Sequence, residues 1–100
     1  MLSKRKKLEI FVEPHALSEV EEMLTRAGFK GWSVFPGQEG AGAHGAWRQT
    51  GVEEGGVSLV IAIGAEDASQ AALVWLEIFF GVYPGIVAVS DVEVMRAERF

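Results

Sequence analysis

The apolar residues of this chain change period twice in each half, and that succession fixes most of what it can fold into. In "KLEIFVEP" they alternate. Leu8, Ile10 and Val12 point one way, Glu9, Phe11 and Glu13 the other, the pattern of a strand with two unlike faces, and Pro14 ends it. "ALSEVEEMLTRAG" then runs at helical period, with Leu17, Val20, Leu24 and Ala27 on one face and Ser18, Glu21, Glu22 and Thr25 mostly opposite. Ser18 and Glu21 have capping-box spacing, and Gly28 is placed to close the helix. "GWSVF" reads as a short apolar strand. The second half repeats the scheme. "VSLVIAIG" is a strand with Val57, Leu59, Ile61 and Ile63 on one face, Asp67 and Gln70 open the helix "DASQAALVWLEIFFG", and "GIVAVSDVEVMR" alternates as a long last strand.

The order β-α-β-β-α-β predicts a single α+β domain over residues 1–100 with the ferredoxin-like split βαβ fold: a four-stranded antiparallel sheet with two helices on one face. Two features predict self-association. The second helix is apolar nearly all round, since Leu73, Val74, Trp75, Leu76, Ile78, Phe79 and Phe80 cannot all meet one sheet. The sheet face away from the helices also needs a cover, and Phe11, Val87, Val89 and Met95 are candidates for it. An apolar fraction of 49% and a mean hydropathy of +0.20 agree with a buried subunit interface.

Between the middle strands lies "PGQEGAGAHGAWRQTGVEEGG", Pro36 to Gly56, with seven of the 12 glycines and no apolar periodicity. It reads as the tip of a long hairpin. Structureless segments of this length inside a small domain are uncommon and usually functional or disordered.

Several classes of chemistry find little support. A net charge of −5 argues against general nucleic-acid binding, and the "KRKK" of Lys4–Lys7 reads as a solvated end. The absence of cysteine removes disulfides, thiolate metal sites and cysteine nucleophiles. His15 and His44 have no ligand-spaced neighbours, no serine sits in a nucleophile elbow, and Glu53-Glu54 reads as a solvated turn. No catalytic residue and no metal site are therefore expected, and the chain is read as a non-enzyme. The longest apolar run, Ala71–Phe80, is interrupted by Glu77 and too short to span a bilayer. Without an export signal the cytoplasm is the default location.

The glycine loop and the chain end suggest binding instead. Glycines let backbone N–H groups approach a phosphate, "YPG" at 83–85 is a second glycine turn, and Arg96 and Arg99 follow the last strand as potential anion donors. From pattern alone, a flexible hairpin tip and a solvated C-terminus account for the same residues.

The chain as a whole resembles a family. "KKLEIFVEPHALSEVEEMLTRAGFKGWSV" resembles the opening of the PII signalling proteins, with a first strand ending in proline, a helix containing L-x-E-V, and then G-hydrophobic-Ser/Thr-Val; "VSDVEVMRAER" resembles their last strand and its arginines. The resemblance implies a homotrimer with its sheets turned inward and an adenine-nucleotide site in each inter-subunit cleft. It also implies that residues 36–56 are the T-loop, ordered differently by different ligands and presented to a target protein. On this resemblance Gly31, Trp32 and Ser33 fall on the segment lining the base pocket. Gly40 and Gly42 match the T-loop-base glycines after a one-residue slip. Gly85 matches the B-loop glycine, Arg99 a phosphate-binding arginine, and Arg96 lies one residue from another.

The departures are informative. The B-loop lysine has no counterpart, the aligned position being about Ile86, and the loop lacks the uridylylated tyrosine and is shorter. ADP and AMP are thus at least as well matched as ATP. These features resemble PII-like proteins outside nitrogen control. In one branch, associated with carboxysomes and inorganic-carbon uptake, bicarbonate joins the nucleotide as a signal. Another accompanies the bicarbonate transporter and often carries a cysteine-containing tail, which this sequence does not. Arg48, Arg96 and Arg99 are the candidate bicarbonate ligands. A CutA-like trimeric structural or metal-tolerance module without nucleotide binding is the alternative reading, followed by an ACT-like amino-acid-binding domain.

Overall fold

The computed structural model of the protein describes residues 1–42, 45–48 and 56–100. His44, Glu53 and Glu54 lie outside the described residues. Within them the chain runs β1 (Ser3–Val12), α1 (Leu17–Ala27), β2 (Trp32–Pro36), β3 (Glu39–Gly42), β4 (Gly45–Arg48), β5 (Ser58–Gly64), α2 (Glu66–Phe79) and β6 (Gly85–Val94). Strands β1, β2, β5 and β6 form one antiparallel sheet in the order β2-β5-β1-β6, and β3 pairs with β4 as a separate two-stranded hairpin. This is the expected ferredoxin-like α+β fold, with one addition. Part of the glycine-rich interval, expected to be structureless, is a β-hairpin arm.

The core lies between the sheet and the two helices. Leu8, Ile10 and Val12 of β1 and Val60 and Ala62 of β5 are buried against Val20, Met23 and Leu24 of α1 and Ala68, Ala72, Leu76 and Phe79 of α2. Each large apolar side chain so buried is worth about 1.5–3 kcal/mol relative to exposure. Gly28 closes α1 in the left-handed conformation (φ 109°), its N–H donating to the carbonyls of Leu24 and Thr25.

The capping box does not form. Pro14–Ala16 make a 3-10 turn that leads straight into α1, so Ala16 occupies the cap position without a side-chain bond. Glu21, freed from that role, accepts a hydrogen bond from the Trp32 indole instead, at 3.0 Å.

Strand register also reassigns part of the opposite sheet face. Val87 and Val89 pair with Ile10 and Leu8, which places them on the helix side, because directly paired residues share a face. Val87 packs on the core, while Val89 stays 45% exposed on the edge strand. The face away from the helices carries Phe11, Phe35, Leu59, Ile61, Ile63 and Ile86, related by the pairs Phe11–Leu59, Phe11–Ile86, Phe35–Leu59 and Lys7–Ile63. Ile86 is 64% exposed there in the single chain. No helix of the described residues covers this face, as the expected homotrimer requires.

Candidate functional site

The residues nominated from sequence fall into two groups at opposite ends of the sheet. Gly85 begins β6, and Arg96 and Arg99 follow its last residue, Val94. Ten extended residues separate them, a span of about 30 Å at roughly 3.3 Å per residue. One ligand cannot touch both groups in the same chain.

The first group lies where β1 begins and β6 ends. Arg96 adopts a left-handed conformation (φ 60°, ψ 55°) and turns the chain into the 3-10 turn Ala97–Arg99. That turn is fastened across the sheet end: Arg5 Nη2 of β1 donates to the Ala97 carbonyl at 3.2 Å, and Lys30 Nζ, just before β2, donates to the Glu98 carbonyl at 3.0 Å. Gly31, Trp32 and Ser33 follow Lys30 directly. The Trp32 ring faces the helices through its bond to Glu21, so backbone is what this segment offers a ligand. Ser33 lies on the opposite face, paired with Ile61. Most of the chain's basic side chains gather at this end, including Lys4 to Lys7. Asp91, paired with Lys6 across β1 and β6, offsets one of them. The hydrogen bond between the two holds the Lys6 ammonium pKa above its ordinary value and the Asp91 carboxyl below its own.

The second group lies under the hairpin arm. Trp47 of β4 packs its ring against Gly40 and Gly37, where a β-carbon would come within 2.9 Å of it. Gly37 N–H donates to the Val57 carbonyl at 2.7 Å, joining the base of the arm to the chain entering β5. Arg48 is held across the hairpin by Glu39, Nη2 to Oε1 at 2.6 Å. It therefore sits with Gly40 and Gly42, apart from Arg96 and Arg99. Between the arm and the sheet is a cavity of about 500 Å³, walled by Phe11, Val12, Trp47, Pro84, Gly85 and Ile86 among others. Gly85 is required at this wall. Its φ is 151°, and a β-carbon there would overlap the Phe80 ring and lie 2.6 Å from the Phe11 carbonyl oxygen. Among the described residues lining the cavity Glu13 is the one charged side chain.

The two ends thus offer complementary chemistry. One presents cations and backbone suited to an anion, and the other an apolar slot suited to a flat ring. Sequence reasoning missed Arg5, Lys30 and Trp47. Arg5 was hidden inside a run of basic residues, and Lys30 carries no local signal. Trp47 was an aromatic within a glycine-rich stretch, the one hint that the stretch packs on something. Among the described residues no cluster of histidine and carboxylate side chains could hold a metal ion, and no helix is long and apolar enough to cross a membrane.

Comparison with known proteins places this geometry. The nitrogen regulatory protein P-II family matches residues 5–99. CPII, a nitrogen regulatory PII-like protein from Thiomonas intermedia K12 in a structure bound to ADP, AMP and bicarbonate, superposes with a TM-score of 0.90. It is 30% identical over 100% of this chain and 96% of its own. The apo form of CPII superposes with a TM-score of 0.75 at 26% identity, covering 94% of this chain and 95% of its own. A PII-like signaling protein from Thermus thermophilus gives 0.78 at 25% identity over 98% and 96% of the two chains. No curated protein sequence matches the chain. With the family's pattern spanning nearly the whole sequence and its fold reproduced along the full chain, this protein belongs to the PII family.

Proposed function

We propose that the protein is a non-enzymatic PII-like regulator that binds ADP or AMP, with ATP as a weaker candidate, between the subunits of a homotrimer. Bicarbonate is its second ligand. The observation that carries this reading is the division of the site. Cationic and apolar halves at opposite ends of one chain make a complete nucleotide site only when the end of one subunit meets the arm of the next. The uncovered apolar sheet face supplies the contact for that assembly. In this arrangement the cavity walled by Phe11, Trp47 and Gly85 faces a neighbouring copy whose Gly31, Trp32 and Ser33 line the base and whose Arg96 and Arg99 hold phosphate. The occupants named for the CPII structure, ADP, AMP and bicarbonate, fit a site with one apolar and one cationic half. The PII family match weighs against the CutA-like and ACT-like alternatives.

The hairpin arm is the output. Among the described residues it meets the body through Trp47 and the Gly37–Val57 hydrogen bond, so a ligand under the arm bears directly on its pose. A target protein then reads the arm, and bicarbonate as second ligand fits a target in inorganic-carbon metabolism. A coupling of about 1–3 kcal/mol between ligand and arm pose suffices for such a switch. Isothermal titration with ADP, AMP and ATP, each with and without bicarbonate, tests the reading. Micromolar binding that collapses in Arg99→Ala supports it, and bicarbonate-dependent affinity assigns the second ligand. A folded trimer that takes up no adenine nucleotide overturns it.

A further inference from the structure

We infer that Arg5 and Lys30 are positioning residues for the ligand site: they clamp the C-terminal turn and thereby set where Arg96 and Arg99 present their guanidinium groups. The inference rests on the nucleotide reading above and extends it to residues that need not touch the ligand.

A 3-10 turn of three residues following a left-handed arginine has little to stabilise it. Its own bonds are Arg99 N–H to the Arg96 carbonyl at 2.9 Å and Phe100 N–H to the Ala97 carbonyl at 3.0 Å. The external bonds come from two other parts of the fold. Arg5 belongs to β1, a central strand of the sheet, and Lys30 to the segment entering β2, at the sheet's far edge. The turn is therefore anchored at two well-separated points, on consecutive carbonyls, Ala97 and Glu98. Both carbonyls lie between Arg96 and Arg99, so fixing them fixes the direction from which the two side chains leave.

The electrostatics argue the same way. Among the described residues, Lys6 and Arg48 are the lysine and arginine side chains in ion pairs with carboxylates. Arg5 directs its Nη atoms to the Ala97 and Lys4 carbonyls, and its Nε is shut off from solvent with no acceptor among the described residues. Leaving such a group unmatched disfavours the folded state, and a carboxylate at this point would remove that penalty. A guanidinium bonded to the Ala97 carbonyl instead brings positive charge to the turn that carries Arg96 and Arg99, which favours an anion there. Arg5 thus combines fastening with field, and Lys30 repeats the arrangement from the other side.

The test uses the full chain. Arg5→Ala and Lys30→Ala, with Arg5→Lys and Lys30→Arg as conservative counterparts, are titrated with ADP, AMP and adenosine. Amide exchange at Arg99 and Phe100 is followed without ligand. We expect each alanine variant to weaken ADP binding about tenfold, the equivalent of one charge-assisted hydrogen bond. AMP should weaken less and adenosine not at all, with faster exchange at both amides and partial recovery in the conservative variants. Equal losses for all three ligands would mean general damage to the fold and overturn the inference. Faster exchange with unchanged ADP affinity would overturn it too, because the turn would then be loose without consequence. If wild-type protein bound no adenine nucleotide, the functional reading would fail on its own account, and unchanged exchange in the variants would separately refute the clamp.

Discussion

Gly85→Ala tests how the wall between the arm and the sheet is built. The added methyl group would sit 2.6 Å from the Phe11 carbonyl oxygen and overlap the Phe80 ring. The ring can rotate away. The carbonyl cannot, because Phe11 pairs with Ile86 and Val12 with Gly85 along β1 and β6, so relief requires the two strands to part. The backbone adds to this, since φ of 151° is unfavourable for an L-residue. A strained backbone costs about 1–3 kcal/mol and an overpacked contact about 1–3 kcal/mol more, while stiffening the unfolded chain returns about 0.4–1 kcal/mol. The net expectation is a loss of about 1–5 kcal/mol. Urea unfolding followed by far-ultraviolet circular dichroism measures it, at one fixed protomer concentration because oligomer stability depends on concentration. Gly42→Ala is the control: a β-carbon there meets nothing within 4 Å, and its stability should change by less than about 0.5 kcal/mol. If Gly85→Ala proved as stable as Gly42→Ala, the close-packing argument for the start of β6 would be wrong.

Three further outcomes follow from the geometry. Ile61→Glu puts a charge on the open apolar face without disturbing the helix-side core, and light scattering after gel filtration should show the trimer reduced to monomers; an unchanged trimer would move the interface elsewhere. Glu39 and Arg48 are both exposed, so a double-mutant cycle should give a coupling of no more than about 1 kcal/mol. Lys6 and Asp91 are solvent-accessible, yet carboxyl chemical shifts should show Asp91 titrating below the ordinary carboxylate range, and Lys6→Met should return it there. Asp91's depressed folded pKa makes its small contribution present above the unfolded carboxyl's pKa and lost as pH falls through the folded one. For Lys6, raised on folding, the contribution is present below the unfolded amine's pKa and lost as pH rises through the folded one.

What the sequence revealed tracks how local each signal was. The alternation of Leu8, Ile10 and Val12 located β1 because burial on one face of a strand repeats every second residue. Val20 and Leu24 located α1 for the same reason at helical period. The cap failed because Ser18-x-x-Glu21 is a local pattern that Pro14, earlier in the chain, overrode by starting its own turn. Val87 and Val89 were put on the wrong sheet face because register depends on pairing with β1, which alternation alone does not supply. The β3–β4 hairpin was illegible for another reason: glycine and alanine carry no facing preference. Among the described residues the arm is held by the β3–β4 ladder, the Trp47 ring, the Glu39–Arg48 ion pair and the Gly37–Val57 backbone bond, all contacts between residues with no shared period. The nominated site residues carried no hint that they divide between two ends, because a sequence motif does not report the length of the strand between its parts.

Trp47 also makes the arm visible. Of the three tryptophans in the chain, Trp32 is tied to Glu21 and Trp75 is stacked on Phe79 at 4.6 Å, so both have environments set by the folded core. Trp47 alone rides on the arm, against two glycines and above the cavity. Any change in the arm's pose therefore alters the polarity around one indole while the other two supply a constant background. The native protein carries its own optical probe of that motion. Its emission wavelength and quenching by iodide can follow the arm in unlabelled protein, on the timescale of a stopped-flow mixing experiment.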